Sequence, residues 1–265
     1  MRVTGLYHYP IKSCGGTALE AATIVARGFV EDRAWLVTDA TGVFQTQREM
    51  PRMALIHPQV TGDGVVLSAP DMPSLAVVRT AEGVRREVAV WDDACATVDQ
   101  GAEPAQWLTT FLGAPCRLVR MADDFVRATD PTYSVGLEGQ LGFADGYPFL
   151  LTTEASLADL NSRMAVPLPM NRFRPNIVVT GSPPFAEDGW QRIRIGGITF
   201  ALVKPCARCV ITTVDQATAA TAREPLRTLA TFRQVRGKGV MFGQNLIHTA
   251  MGTIRVGDAM DVLQL

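Results

Sequence analysis

Thr199-Phe-Ala-Leu-Val-Lys-Pro-Cys-Ala-Arg-Cys-Val-Ile-Thr-Thr-Val214 is the stretch on which the fold turns. A Cys-x-x-Cys pair that works as a thioredoxin-like dithiol opens a helix after a βαβ strand. Here the flanks, residues 199–203 and 210–214, are apolar and β-branched, which predicts strand on both sides. The pair therefore belongs to a β-rich frame. Just upstream, residues 192–204 read as a hairpin turning at Gly196-Gly197, and residues 176–179 and 148–151 as short apolar strands. Thr152 or Thr153 can cap a helix whose apolar face holds Leu157, Leu160 and Met164. Downstream, a short helix follows Pro225 with Leu226, Leu229 and Phe232 inward, and residues 252–265 read as a strand pair around Gly257-Asp258.

The first ~115 residues are also mostly β. Residues 34–49 are strand formers broken by Asp39-Ala-Thr-Gly42, a hairpin signal, and residues 54–68 repeat the pattern around Thr61-Gly-Asp-Gly64. Residues 87–91 alternate like a half-buried strand. Short strands with frequent turns predict a small barrel or sandwich. One helix is expected near Pro104, with Trp107, Leu108, Phe111 and Leu112 on its apolar face and Gly113 as its stop. Residues 121–147 are polar and loop-like and carry the best junction between two domains, 1–118 and 122–265. The fold class expected is mixed α+β, β-rich: a β-barrel-like first half and a second β-barrel domain with a few helices.

A chain of 265 residues with 47% hydrophobic and 19% charged side chains buries a large core. Its net charge of -1 argues against broad binding to nucleic acid or to an anionic membrane. Nothing approaches the ~20 continuous apolar residues of a membrane span, and the start lacks a leader pattern, so a cytoplasmic location is expected. Five cysteines, an odd count, fit reduced thiols rather than a disulfide framework.

Three stretches could carry chemistry. In Lys204-Pro-Cys-Ala-Arg-Cys209, the thiols could serve zinc, a redox dithiol or an inert core. No second Cys-x-x-Cys exists and the three histidines are scattered, which disfavours structural zinc. Lys204 and Arg208 flank the thiols, and cations favour the metal-ligating thiolate, so one soft ligand on an open metal is a further option. In Tyr9-Pro-Ile-Lys-Ser-Cys-Gly-Gly16, Lys12 offers a point charge, Ser13 a hydroxyl and the glycines close backbone approach, a combination suited to phosphate, though an ordinary turn reads the same way. In Phe173-Arg-Pro-Asn-Ile-Val-Val179, Arg174 sits at a strand start in an apolar setting, where a buried guanidinium needs an anion or a structural ion pair. Arg33 most simply pairs with Glu31 or Asp32. Hydrolase, deaminase and dinucleotide fingerprints are absent.

Taken together and in order, these pieces resemble the MOSC family (molybdenum cofactor sulfurase C-terminal domain), including the β-barrel domain that precedes MOSC in its amidoxime-reducing members. The matching text is Tyr9-Pro-Ile-Lys-Ser-Cys14, Asp32-Arg-Ala-Trp-Leu-Val37, Pro148-Phe149, Glu154-Ala-Ser-Leu-Ala-Asp-Leu-Asn161, Phe173-Arg-Pro-Asn-Ile-Val178, Cys209-Val-Ile-Thr-Thr-Val-Asp215 and Phe242-Gly-Gln244. The resemblance implies a molybdenum cofactor (Mo-molybdopterin) and reduction of hydroxylamines and amidoximes. It implies that Cys209, rather than Cys206, is the metal ligand and the catalytic residue. It also implies that Lys12, Ser13, Arg33, Arg174, Asn176 and Arg208 hold the pterin phosphate and ring, with the backbone of Asp145, Gly146 and Tyr147 and the hydroxyl of Thr153 as further candidates.

The sequence departs from the family pattern in two ways. No cysteine set for an iron–sulfur cluster is present, so electrons are expected from a separate ferredoxin-like or cytochrome b5-like protein and its reductase. The family's frequent Asp-Pro-x-Thr-Gly reads Asp215-Gln-Ala-Thr-Ala219, expected to be a turn variation with little effect on the metal. Two rival readings are a carrier that hands the cofactor, as such or sulfurated, to other enzymes, and a redox switch built on Cys206 and Cys209 without molybdenum.

Overall fold

The computed structural model describes residues 1–134 and 136–265. It is β-rich, with α-helices at Ala102–Leu112, Glu154–Ser162 and Leu226–Ala230 among the described residues. The largest sheet runs Met260–Gln264, Arg192–Ile195, Ile198–Arg208, Gly239–His248, Phe149–Thr153, Ile177–Thr180, Arg2–His8, Thr17–Leu19. Its pairings are antiparallel except that of Phe149–Thr153 with Ile177–Thr180, which is parallel and bridged by the helix Glu154–Ser162. Thr153 caps that helix, its hydroxyl accepting the Ser156 amide at 3.1 Å. Gly113 takes the left-handed stop of the helix Ala102–Leu112, with φ 75°.

Strands from the two ends of the chain share sheets. Arg2–His8 pairs with Ile177–Thr180, and Ala21–Val25 pairs with Gly252–Arg255. The main core mixes them accordingly: Val3, Leu6, Ile24 and Phe29 pack with Phe149, Ile177, Phe200 and Ile254. The polar segment 121–147 is irregular, with Val135 outside the described residues, and the sheets do not part there. A second sheet (Trp35–Asp39, Cys116–Met121, Asp93–Asp99, Arg85–Val90) and a three-stranded one (His57–Val60, Gly64–Ser68, Leu75–Val78) complete the first half. Trp35, Met53, Trp107, Leu108 and Phe111 fill a core there.

Three local expectations need correction. Residues 210–213 form a single-turn 3-10 helix instead of a strand. The hydroxyl of Thr212 donates to the Cys209 carbonyl at 2.9 Å and that of Thr213 to the Val210 carbonyl at 2.7 Å, and such local bonds compete with a ladder. Gly252–Arg255 and Met260–Gln264 are strands but do not pair with each other. The turn at Gly257, φ 94°, hands the chain from one sheet to another, burying Ile254 and Met260 in the shared core. The return arm of the first expected hairpin makes only isolated bridges among the described residues, Phe44 to Thr38 and Val43 to Ala89. Beyond it Thr46 turns the chain, accepting the Arg48 amide at 3.0 Å.

Candidate functional site

A solvent-open cleft is lined by residues from both halves of the chain. Lys12 and Ser13 enter from the loop after Arg2–His8, which is pinned by the Lys12 amide to the Trp35 carbonyl (3.0 Å) and the Gly15 amide to the Ile56 carbonyl (2.8 Å). Arg33 enters from the turn before Trp35–Asp39, its amide bonded to the Tyr9 carbonyl at 2.8 Å. Arg174 ends a 3-10 turn at Met170–Phe173. Arg208 and Cys209 follow at the end of Ile198–Arg208. Ser13, Arg33 and Arg174 hold φ of 66°, 47° and 53°, a left-handed backbone that costs L-residues about 1–3 kcal/mol each and clusters at ligand sites.

The charges are unbalanced. Lys12, Arg33, Arg48, Arg174 and Arg208 line the cleft, while the carboxylates paired with them are Asp145 and Asp32. Lys12 Nζ donates to Asp145 Oδ1 and, at 2.7 Å, to the Phe143 carbonyl. Burial pushes the Lys12 pKa below its ordinary value despite that carboxylate. Burial alone would raise Asp145, but the Lys12 ammonium, the Trp91 indole N–H and Arg48 hold it well below the usual carboxylate range. Arg33 pairs with Asp32 at 2.6 Å, as its neighbourhood in the sequence implied, and donates to Asn176 Oδ1 at 2.9 Å. Asn176 therefore lines the cleft as the residue that orients Arg33.

Arg174 is buried at 8% exposure and has no carboxylate partner among the described residues. Burial lowers its pKa to about 10, and its guanidinium stacks on Tyr9, 4.2 Å from the ring centre. Tyr9 is pushed up to about 12, mainly by burial, and Arg33 also lies over its ring at 4.4 Å. A buried, unneutralised guanidinium is costly unless an anion completes it. Two further buried polar atoms lack partners here, Arg208 Nε and Tyr147 Oη. Burial raises the Tyr147 phenol to about 12, so it stays a donor.

Both cysteines of the Cys-x-x-Cys pair line the cleft and neither is fully buried. Cys206 Sγ accepts from Arg208 Nη1 at 2.8 Å, and Cys209 Sγ from Arg48 Nη2 at 3.4 Å. Among the described residues no group of three His, Cys, Asp or Glu could hold a metal, so a four-ligand site is not formed there. A metal at Cys209 would need its remaining ligands from a bound cofactor or substrate.

Of the residues expected at the site, the cleft gathers Lys12, Ser13, Arg33, Asp145, Gly146, Tyr147, Arg174, Asn176, Arg208 and Cys209. Thr153 does not line it: its hydroxyl is used by the helix cap and by Ser156 Oγ (2.7 Å), beside Glu187. The structure adds Arg48 and Asn245, and behind the lining Gln47, Trp91 and Gln216. No spacing in Gln47-Arg48-Glu49 distinguishes it from a solvated turn. The turn at 215–219 reaches the site, because Gln216 Oε1 accepts from Arg174 Nη1 at 3.4 Å.

Residues 1–115 match the MOSC N-terminal beta barrel domain and residues 138–261 the MOSC domain. The chain is 37% identical over 280 residues to mitochondrial amidoxime-reducing component 1 of Homo sapiens, covering 98% of this chain and 82% of that protein. It is 35% identical over 273 residues to mitochondrial amidoxime reducing component 2 of Bos taurus, covering 97% and 81%. A molybdenum cofactor sulfurase of Danio rerio is 33% identical over 274 residues, which cover 93% of this chain and 32% of that protein. The chain belongs to the MOSC-domain family and is a relative of the mitochondrial amidoxime-reducing components.

Proposed function

We propose that the cleft binds a molybdenum cofactor and that the loaded protein reduces N-hydroxylated compounds, hydroxylamines and amidoximes, to amines and amidines. The observation that carries this reading is Arg174, buried and unneutralised at the floor of a cation-rich cleft that also holds the Cys209 sulfur. The donor set fits a large phosphate-bearing anion: Arg33, Arg174 and Lys12 supply charge, and Ser13, Arg208 Nε and Tyr147 Oη supply unused or reachable donors. The relatives named amidoxime-reducing components agree with it.

Bound molybdenum supplies two-electron chemistry, and the net change is R–NHOH + 2 e⁻ + 2 H⁺ → R–NH₂ + H₂O. This chain's side chains do the rest. Cys209 would be the sole protein ligand, Arg33 and Arg174 would fix the phosphate end, and Asn176 and Tyr9 would hold those two guanidiniums in place. Phe143, Phe149 and Phe173 back the cleft from the adjoining cores. A separate one-electron carrier, ferredoxin-like or cytochrome b5-like, with its reductase, would deliver electrons, and we propose a cytoplasmic location for this exchange.

The similarity to a molybdenum cofactor sulfurase favours a second reading, a carrier that passes the cofactor on. Molybdenum per chain, followed by turnover of benzamidoxime with dithionite as reductant, separates the two. Near-stoichiometric metal with turnover supports the reductase. Loaded protein that stays inert with several N-hydroxylated compounds yet reconstitutes an apo-enzyme supports the carrier.

A further inference from the structure

Gln216 stands at the second position of the turn Asp215-Gln-Ala-Thr-Ala219. Its side-chain amide uses all four hydrogen-bonding positions. Oε1 accepts from Arg174 Nη1 at 3.4 Å and from Gln47 Nε2 at 3.2 Å. Nε2 donates to Gln47 Oε1 and to the Val214 carbonyl, each at 3.0 Å. Gln47 is fully buried, and its Nε2 also donates to the Ser13 carbonyl at 2.7 Å. One pair of amides thus ties the Lys12-Ser13 loop of the first half to Arg174 of the second.

The chemistry of the acceptor matters as much as its position. A carboxylate facing Arg174 would hold the guanidinium but cancel its charge, as Asp32 does for Arg33. A neutral amide oxygen aims the same guanidinium and leaves its charge for a ligand. A glutamine fastened by a second, buried glutamine keeps that oxygen fixed. We propose that Gln216, clasped by Gln47, is a positioning residue for the anion seat: it aligns Arg174 with the Ser13 loop without neutralising it. This inference rests on the reading that Arg174 holds the cofactor's phosphate.

The test uses cofactor-loaded protein. Release of pterin is followed by the fluorescence of its oxidised form, with urea midpoints measured in parallel. Gln216→Glu, nearly isosteric, loses the Nε2 bonds to Gln47 and the Val214 carbonyl and sets a charge against Arg174. It is expected to speed release about 100-fold at neutral pH with a urea midpoint no lower than that of Gln216→Ala, and in an Arg174→Ala background to add no more than Gln216→Ala does there. Gln216→Ala and Gln216→Pro, which break the clasp without adding charge, are expected to speed release about tenfold, and Gln47→Ala combined with Gln216→Ala no more than either alone. Wild-type release from Gln216→Glu, or an equal effect of that change with and without Arg174, overturns the inference. If Arg174→Ala releases the cofactor no faster than wild type, the phosphate reading itself falls and takes the inference with it. Fast release from Arg174→Ala beside wild-type behaviour of the Gln216 variants removes the inference alone.

Discussion

Arg48 Nη2 lies 3.4 Å from the sulfur of Cys209. The same guanidinium stacks on Trp91, 4.8 Å from its ring centre, and comes within 4.0 Å of Asp145. Arg48 is thus a cation held beside the sulfur by an aromatic wall. A charge-assisted hydrogen bond contributes roughly 1.5–3 kcal/mol, so Arg48→Ala is expected to lower kcat/KM for an amidoxime about tenfold or more. Molybdenum content should stay near one per chain, since Arg48 faces the sulfur rather than the buried Arg33 and Arg174 pair. Loss of metal in step with activity would contradict this assignment.

Cys209 and Cys206 should separate cleanly. Cys209→Ala is expected to abolish turnover and to lose molybdenum or change its absorption spectrum. Cys206→Ala is expected to keep most of both, because Cys206 is engaged by Arg208 at 2.8 Å and not by Arg48. Equal loss in the two variants would point to paired thiol chemistry instead.

The anion-seat cations should rank by how far each is already neutralised. Among the described residues Arg174 has no carboxylate partner, Arg33 has Asp32, and Lys12 has Asp145. Cofactor retention after dialysis is expected to fall most for Arg174→Ala, about tenfold or more, and least for Lys12→Ala. Full retention in all three variants would make these residues structural.

Glu187 gives a pH prediction away from the cleft. It is buried, burial raises its pKa, and it accepts from Ser156 Oγ at 2.7 Å. A carboxyl whose folded pKa is raised stabilises the fold most below its unfolded value, about 4.3, and the benefit is lost as pH rises through the folded value. Glu187→Gln, neutral throughout, is expected to raise Tm at pH 7.5 by roughly 2–4 °C for each ~1 kcal/mol regained. The difference should vanish near pH 4. A variant less stable at pH 7.5 would show that the charge is well compensated in place.

Local signals in the sequence reported local structure well. Gly113 stops its helix, Thr153 caps the next, and Gly196-Gly197 turns the hairpin between Arg192–Ile195 and Ile198–Arg208, because each device acts within a few residues. Lys12 and Arg174 could be singled out as candidate anion donors from their loop and strand-start settings, and both line the cleft. Arg48 and Gln216 could not, since their importance comes from partners 161 and 42 residues away. The strand pair misread at residues 252–265 fails for the same reason: both strands are real, but their neighbours lie at Ala21–Val25 and Arg192–Ile195.

The pairing of Arg2–His8 with Ile177–Thr180 has a consequence for synthesis. At ~5–20 residues per second, one edge of the first strand waits roughly ten to thirty seconds on the ribosome before its neighbour is made. Ala21–Val25 waits longer still, for Gly252–Arg255. The nascent chain therefore carries unpaired apolar edges through most of translation, and the cleft closes only when the last strands arrive. A cleft lined by both Lys12 and Asn245 is complete only once residues beyond 245 have emerged, so the proposed cofactor would find its seat late in synthesis.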